Sequence, residues 1–374
     1  MNKEIKILIL FLGVFLSFYF LPIESTLFTG AIVSGLGLLN EYAREHVLSC
    51  LVPAFFIAGA IAVFVKKELI LKYLGGKAKK MTAYSLASVS GGVLAVCSCT
   101  ILPMFAGIRK RGAGLGPAIT FLFSGPAINI AAIFLTISVL GLNIGLARIF
   151  LAIPLAVLVG LSMQFIFKEK AEAGGLLVEK RGDKKSSPSY GGSTVLIFMT
   201  AMVALLVVNG LAIDQWLKYF LTVFLVILVA IIAVTQFKKE TRKEWLSETW
   251  SFAKTLLPLL FVGVFIAGFI MPFLPQELIT DMVGSNSLLA NLIASGFGAF
   301  MYFSTLTEVP ILQTLMSRGM HSGPALALLL AGPSLSLPNM LVIRSVLGNK
   351  RTFVYILLVL FYSTLAGFGA GYLI

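Results

Sequence analysis

The chain has 374 residues, 58% of them hydrophobic and only 12% charged, with a mean hydropathy of +0.98. Soluble domains carry roughly 45–50% apolar and about 25% charged residues, so a soluble fold and a disordered chain are excluded, and 3 cysteines cannot staple a secreted chain this long. What remains is an all-α polytopic membrane protein, in which a net charge of +13 marks loops on one side of the bilayer rather than nucleic-acid binding.

A span needs about 20 mostly apolar residues. Residues 5–22 form an apolar run behind Lys3 and Lys6, and no small-x-small site follows Pro22, so this run reads as a retained anchor. Further spans are expected near 47–65, 113–142, 144–167, 193–211, 217–236, 255–272, 322–347 and 352–373. Two other apolar stretches, 81–108 and 287–317, are rich in Gly and Ser and meet polar residues midway. Such backbone is tolerated at membrane depth where protein or a cavity surrounds it.

The basic residues cluster at Lys66–Lys80, Arg109–Arg111, Lys168–Lys185, Lys238–Lys243 and Lys350–Arg351. If 81–108 and 287–317 each dip in and return, nearly all of these groups are cytoplasmic. Only Arg44, Arg148, Lys218 and Arg318 then fall outside. The positive-inside rule favours this arrangement. It gives about nine full spans plus two re-entrant hairpins, with the N-terminus inside.

The halves align. Leu102-Pro103 matches Val309-Pro310, Arg111-Gly112 matches Arg318-Gly319, Gly116-Pro117-Ala118 matches Gly323-Pro324-Ala325, and Gly125-Pro126 matches Gly332-Pro333. Under this topology the repeats run in opposite senses. Inverted repeats serve alternating access around a midplane site. The chain then divides into an anchor helix and outer segment (1–46), a first repeat (47–167), a basic cytoplasmic loop with connecting helices (168–254) and a second, inverted repeat (255–374).

Gly125-Pro126 and Gly332-Pro333 fall inside spans. Proline breaks the helix, and the freed carbonyls either face a ligand or are packed as a kink. Symmetry-matched breaks, each after a re-entrant segment, favour the first. Asn129, Ser336 and Asn339 lie just beyond the breaks, and either line a cavity or bond across helices, as do Ser124, Thr305 and Thr307.

Cys97-Ser98-Cys99 is the sharpest motif. Residues two apart share a side only on extended backbone, so the pair chelates only where the helix is unwound. Thiolates select soft ions such as Cu(I), zinc and, by the same logic, trivalent arsenic, so Cys97 and Cys99 are candidate ligands for a soft metal or metalloid. The alternative is two small buried cysteines. Cys50 is read as packing, and neither His46 nor His321 as a metal ligand. Glu308 is the acidic residue that lies well inside an apolar segment. It is a candidate proton carrier or cation ligand, or else a structural partner of Arg318 or a backbone donor. Lys77, Lys79 and Lys80 suit anionic headgroups. No phosphate-loop motif is present, so a transporter without its own ATPase is expected rather than an enzyme.

The run Val96-Cys97-Ser98-Cys99-Thr100-Ile101-Leu102-Pro103, with Gly107-Ile108, Gly112–Ala118 and Ser124-Gly125-Pro126-Ala127-Ile128-Asn129, resembles the ArsP-type permeases through both repeats. The resemblance implies secondary transport. For some members it implies efflux of trivalent organoarsenicals through cysteine ligands, and for others copper or zinc efflux. Cys97 and Cys99 inherit the ligand role on that basis. The expected partners are the lipid bilayer, a small thiophilic solute and protons, with no nucleic acid and no cofactor. A thiol–disulfide electron carrier ranks lower, because the positions matching the cysteines are Ser304 and Leu306.

Overall fold

A computed structural model describes residues 25–65, 67–75, 78–93, 98–167, 192–210, 214–273, 282–301 and 308–374, together with Phe11, Leu12, Phe15 and Tyr19. These last four are helical and exposed; the rest of the expected anchor lies outside the described residues. Among the described residues the regular structure is all helical. In chain order it comprises α1 (Thr26–Tyr42), which runs through a π-helical stretch (Ala43–Leu51) into α2 (Val52–Phe64), then α3 (Lys67–Tyr73), α4 (Lys80–Val93) and α5 (Ser98–Lys110). The broken pair α6 (Leu115–Ala127) and α7 (Ile130–Leu140) and the long α8 (Leu142–Ile166) complete the first half. The connecting helices are α9 (Gly192–Gly210) and α10 (Gln215–Gln236). The second half holds α11 (Lys239–Ile270), α12 (Leu288–Phe300), α13 (Glu308–Ser317), α14 (Ser322–Leu335), α15 (Leu337–Leu347) and α16 (Asn349–Ala370).

Among the described residues 4 helices are long and apolar enough to cross a membrane, or up to 7 spans if each bent pair counts as one. This is a multi-pass membrane protein. Both glycine-rich stretches form two short helices around residues outside the described set: α4 and α5 in the first, α12 and α13 in the second. At the helical rise each is at most about 20 Å long, against a hydrocarbon core of about 30 Å, so none crosses alone. The structure also makes α1 a helix where hydropathy left an outer segment, because Glu41, Arg44 and Glu45 interrupt the apolar run. Small residues seat it on α11: a Cβ on Gly268 would lie 2.9 Å from the Cα of Gly35. α11 is continuous for 32 residues, so Lys239, Arg242 and Lys243 ride on a helix rather than in a loop.

The repeat is structural as well as sequential. Helices α6, α7, α8 and α13 start at positions that match those of α14, α15, α16 and α5 within a few residues, at the offset of the sequence alignment. The left-handed turn glycines also match: Gly112 (φ 96°) with Gly319 (φ 107°), and Gly141 (φ 98°) with Gly348 (φ 82°). The halves pack reciprocally. α5 contacts α15 while its counterpart α13 contacts α7, and α6 meets α14 as α8 meets α16. This is the self-complementary pattern of a two-fold interface.

Aromatic rings fix the connecting helices to the body. Phe64, Phe198, Phe237 and Trp245 form edge and tilted contacts with centroids 4.3–6.3 Å apart, and Trp245 Nε1 donates to the Phe56 carbonyl at 2.9 Å. Further along its length α11 approaches α15 closely. A Cβ on Gly263 would lie 2.5 Å from the Cα of Pro338, where only backbone can yield. Gly263→Ala is therefore expected to destabilise the protein by about 1–3 kcal/mol, as overpacking does. Gly37→Ala, with nothing within 4 Å of the new methyl, is expected to be neutral or better. Thermal unfolding in detergent checks the contrast; equal effects would show that this approach is not tight.

Candidate functional site

The site is built on the two broken helices. α6 and α7 meet at 46°, and α14 and α15 at 47°. Pro126 and Pro333 sit in the last turns of α6 and α14, where each removes a backbone donor. The carbonyls near these ends need other partners, since both helices are buried along almost their entire length. Each break is served from the long helix that follows it. Arg148 Nε on α8 donates to the Ala127 carbonyl at 3.2 Å, and the Tyr355 hydroxyl on α16 donates to the Ser334 carbonyl at 3.4 Å. Arg148 matches Tyr355 in the repeat, and Ala127 matches Ser334. The same structural problem is solved twice, once with a cation and once with a phenol.

The chemistry is not symmetric. A Cβ on Gly125 would lie 2.7 Å from Ile101 Cδ1, and one on the matching Gly332 would lie 2.8 Å from Glu308 Oε1. Equivalent pockets beside the two breaks thus hold an isoleucine in one repeat and a carboxylate in the other. Glu308 is 1% exposed and Arg148 0%, and their Oε2 and Nη2 atoms lie 3.7 Å apart. Arg148 Nη1 also donates to Thr136 Oγ1 at 3.0 Å. One ion pair therefore joins the second repeat to α8 of the first, and through Arg148 to its broken helix.

This corrects two expectations. Arg148 does not mark an outer loop; it is buried, because a carbonyl and a hydroxyl of its own repeat and a carboxylate of the other share its guanidinium. Arg318 is not the partner of Glu308; it is exposed in the turn after α13. The pair is close but not saturated. Among the described residues both Glu308 oxygens and Arg148 Nη2 have no hydrogen-bond partner, and neither do Ser334 Oγ, Ser336 Oγ and Asn339 Oδ1. All five residues are buried. Unused polar capacity at this depth is costly and is concentrated where proteins act.

The other polar candidates divide by role. Asn339 Nδ2 reaches the Pro333 carbonyl at 3.3 Å, beside the second break. Asn129 Oδ1 accepts from the Ala132 amide at 3.3 Å and caps α7. Ser124 Oγ is 3.3 Å from the carbonyls of Ala87 and Phe121, so it ties α6 to α4. His321 accepts from the Gly323 amide and caps α14. Ser98 is buried at the start of α5, which puts Cys99 in the first turn of that helix. Cys97, the side chains of Cys99 and Cys50, and Thr305 and Thr307 lie outside the described residues. Among the described residues no three His, Cys, Asp or Glu side chains converge on one point. Sequence reasoning missed Arg148, Thr136, Ser334 and Tyr355. The repeat offset carried the signal for two of them, since it pairs Arg148 with Tyr355.

Fold and site together describe a multi-pass protein with two matched, broken-helix halves. The ArsP-type family, described as predicted permeases, matches residues 33–372. The chain is 45% identical over 342 residues to UPF0718 protein MJ0584 of Methanocaldococcus jannaschii, which covers 88% of this chain and 93% of that protein. It is 22% identical over 313 residues to UPF0718 protein YraQ of Escherichia coli, covering 83% of this chain and 74% of that one. No solved structure is significantly similar. The chain belongs to the ArsP-type predicted permease family, and its general role is membrane transport.

Removing one partner of a buried ion pair typically costs about 3–5 kcal/mol, because the other charge is left uncompensated. Arg148→Met is expected to lower detergent stability by that order. The double variant Arg148→Met with Glu308→Gln is expected to recover much of the loss. Thermal unfolding of the single and double variants decides, and strictly additive losses would show that the two charges do not interact.

Proposed function

We propose that the protein is a secondary-active permease of the cytoplasmic membrane that exports a thiophilic solute, such as a trivalent organoarsenical, by alternating access. The observation that carries the reading is the Arg148–Glu308 pair. It bridges the two repeats at their helix breaks, is almost completely buried, and retains unused hydrogen-bonding atoms.

Such a pair suits coupling. Ionised Glu308 attracts Arg148 strongly in a low-dielectric setting and holds the halves together. A proton arriving on Glu308 neutralises the carboxylate and removes that attraction. Arg148 keeps its bonds to Ala127 and Thr136, so the first repeat stays intact while the second is free to move. In this reading the repeats are inverted and the short helix pairs are re-entrant hairpins. Movement at the pair then opens one face of the membrane as it closes the other. The cysteines supply selectivity: Cys99, in the first turn of α5, and Cys97 of the same motif would hold the soft centre of the cargo. The freed backbone and the hydroxyls beside the second break would line its path.

Two measurements test separate parts. Cys97→Ser with Cys99→Ser is expected to abolish resistance to trivalent organoarsenicals in an exporter-deficient host at unchanged expression; intact resistance would remove the thiol mechanism. In proteoliposomes Glu308→Gln is expected to keep cargo–cargo exchange but lose acceleration by an imposed pH gradient. Full pH-driven transport by that variant would remove the coupling role.

A further inference from the structure

A cavity of about 810 Å³ lies away from the ion pair, between the connecting helices and the paired helices α2 and α11. No residue of α6, α7, α14 or α15 lines it. Its long wall is α10, where Val229 and Ala233 lie deepest and Val226 lines the rim. Exposed Val234 and Val226 on its border open it toward the surrounding bilayer. Trp245, held by the Phe56 carbonyl, forms part of the inner wall.

One end is strongly basic. Lys239, Arg242 and Lys243 all line the cavity, and Leu246 follows them one turn on. The spacing i, i+3, i+4, i+7 puts them on one face of α11. The acidic residues of the same turns, Glu240, Glu244 and Glu248, do not line it, and Glu248 is engaged by Lys110 from α5. The stretch of α10 from Thr222 to Val234 along the wall measures about 18 Å at the helical rise, close to one leaflet of a hydrocarbon core about 30 Å thick. The basic end falls at the cytoplasmic surface by the positive-inside rule.

We propose that this cavity is a binding site for one anionic phospholipid of the cytoplasmic leaflet. The headgroup phosphate rests on Lys239, Arg242 and Lys243, and an acyl chain lies along Val226, Val229 and Ala233 against Trp245. A purely apolar occupant would leave three cations facing an empty end of the groove. A free anion would leave the leaflet-long apolar wall uncovered. A lipid with a negative headgroup answers both.

The test uses the full chain with Trp216→Phe and Trp250→Phe, which leaves Trp245 as the single fluorophore. The protein is reconstituted with acyl-brominated phosphatidylglycerol or phosphatidylcholine at increasing mole fraction. Bromine in contact with the indole quenches it. Phosphatidylglycerol is expected to quench saturably at far lower mole fraction than phosphatidylcholine. Each basic residue near an anionic surface contributes roughly fivefold to binding, so Lys239→Gln, Arg242→Gln and Lys243→Gln together are expected to weaken the phosphatidylglycerol site roughly 100-fold. They are expected to leave the phosphatidylcholine curve unchanged, which also reports that the fold is intact. Ala233→Phe, which fills the groove and keeps the charges, is expected to remove the saturable phase. Equal quenching by the two lipids, or a preference that survives the triple substitution, would overturn the proposal.

Discussion

Two charges buried in the centre of a membrane protein organise what surrounds them. Arg148 and Glu308 are withdrawn almost completely from solvent, and each would cost several kcal/mol if left alone. The structure meets this cost locally. Ala127 offers a carbonyl at the end of a broken helix, Thr136 offers a hydroxyl, and Gly332 makes room for the carboxylate by having no Cβ. The helix breaks and the ion pair therefore depend on each other. Without the break the Ala127 carbonyl would be drawn into its own helix, and without Arg148 it would be a buried acceptor in need of a partner.

The repeat architecture explains where the asymmetry falls. Two halves with matched helix ends and matched turn glycines pack reciprocally, so each position has a counterpart. Where the counterparts are Ile101 and Glu308, or Arg148 and Tyr355, the backbone is repeated and the chemistry is not. Tyr355 serves its carbonyl as a neutral donor and stops there. Arg148 serves its own and reaches across to the other repeat. A charge that spans the interface between halves is a natural place for a proton to alter how the halves sit, which is why the proposed coupling centres on this pair.

Much of this was legible in the sequence. The class followed from apolar content, the repeat from paired Gly and Pro positions, and the burial of Glu308 from a lone acid in an apolar segment. The partner of Glu308 was not legible. Arg148 stands near the start of an apolar run, where a basic residue ordinarily marks a loop, and nothing local reveals a carboxylate from 160 residues further on. α1 was missed for a similar reason: charged residues interrupt its hydropathy, yet its glycines fit it to α11. The extent of α11 was hidden because its first turns are basic, and helical spacing rather than hydropathy organises them.

In the proposed transport cycle the region around Arg148 and Glu308 is exposed to the two sides of the membrane in turn. The most direct test places a single thiol there, Ser336→Cys or Asn339→Cys, with Cys50 replaced by Ala and Cys97 and Cys99 masked by cargo or replaced by Ser. Membrane-impermeant maleimide is then applied from one side at a time, with and without a pH gradient. The account predicts labelling from the cytoplasmic side under one condition and from the outer side under the other. Labelling from a single side under every condition, or from both sides at once, would contradict it.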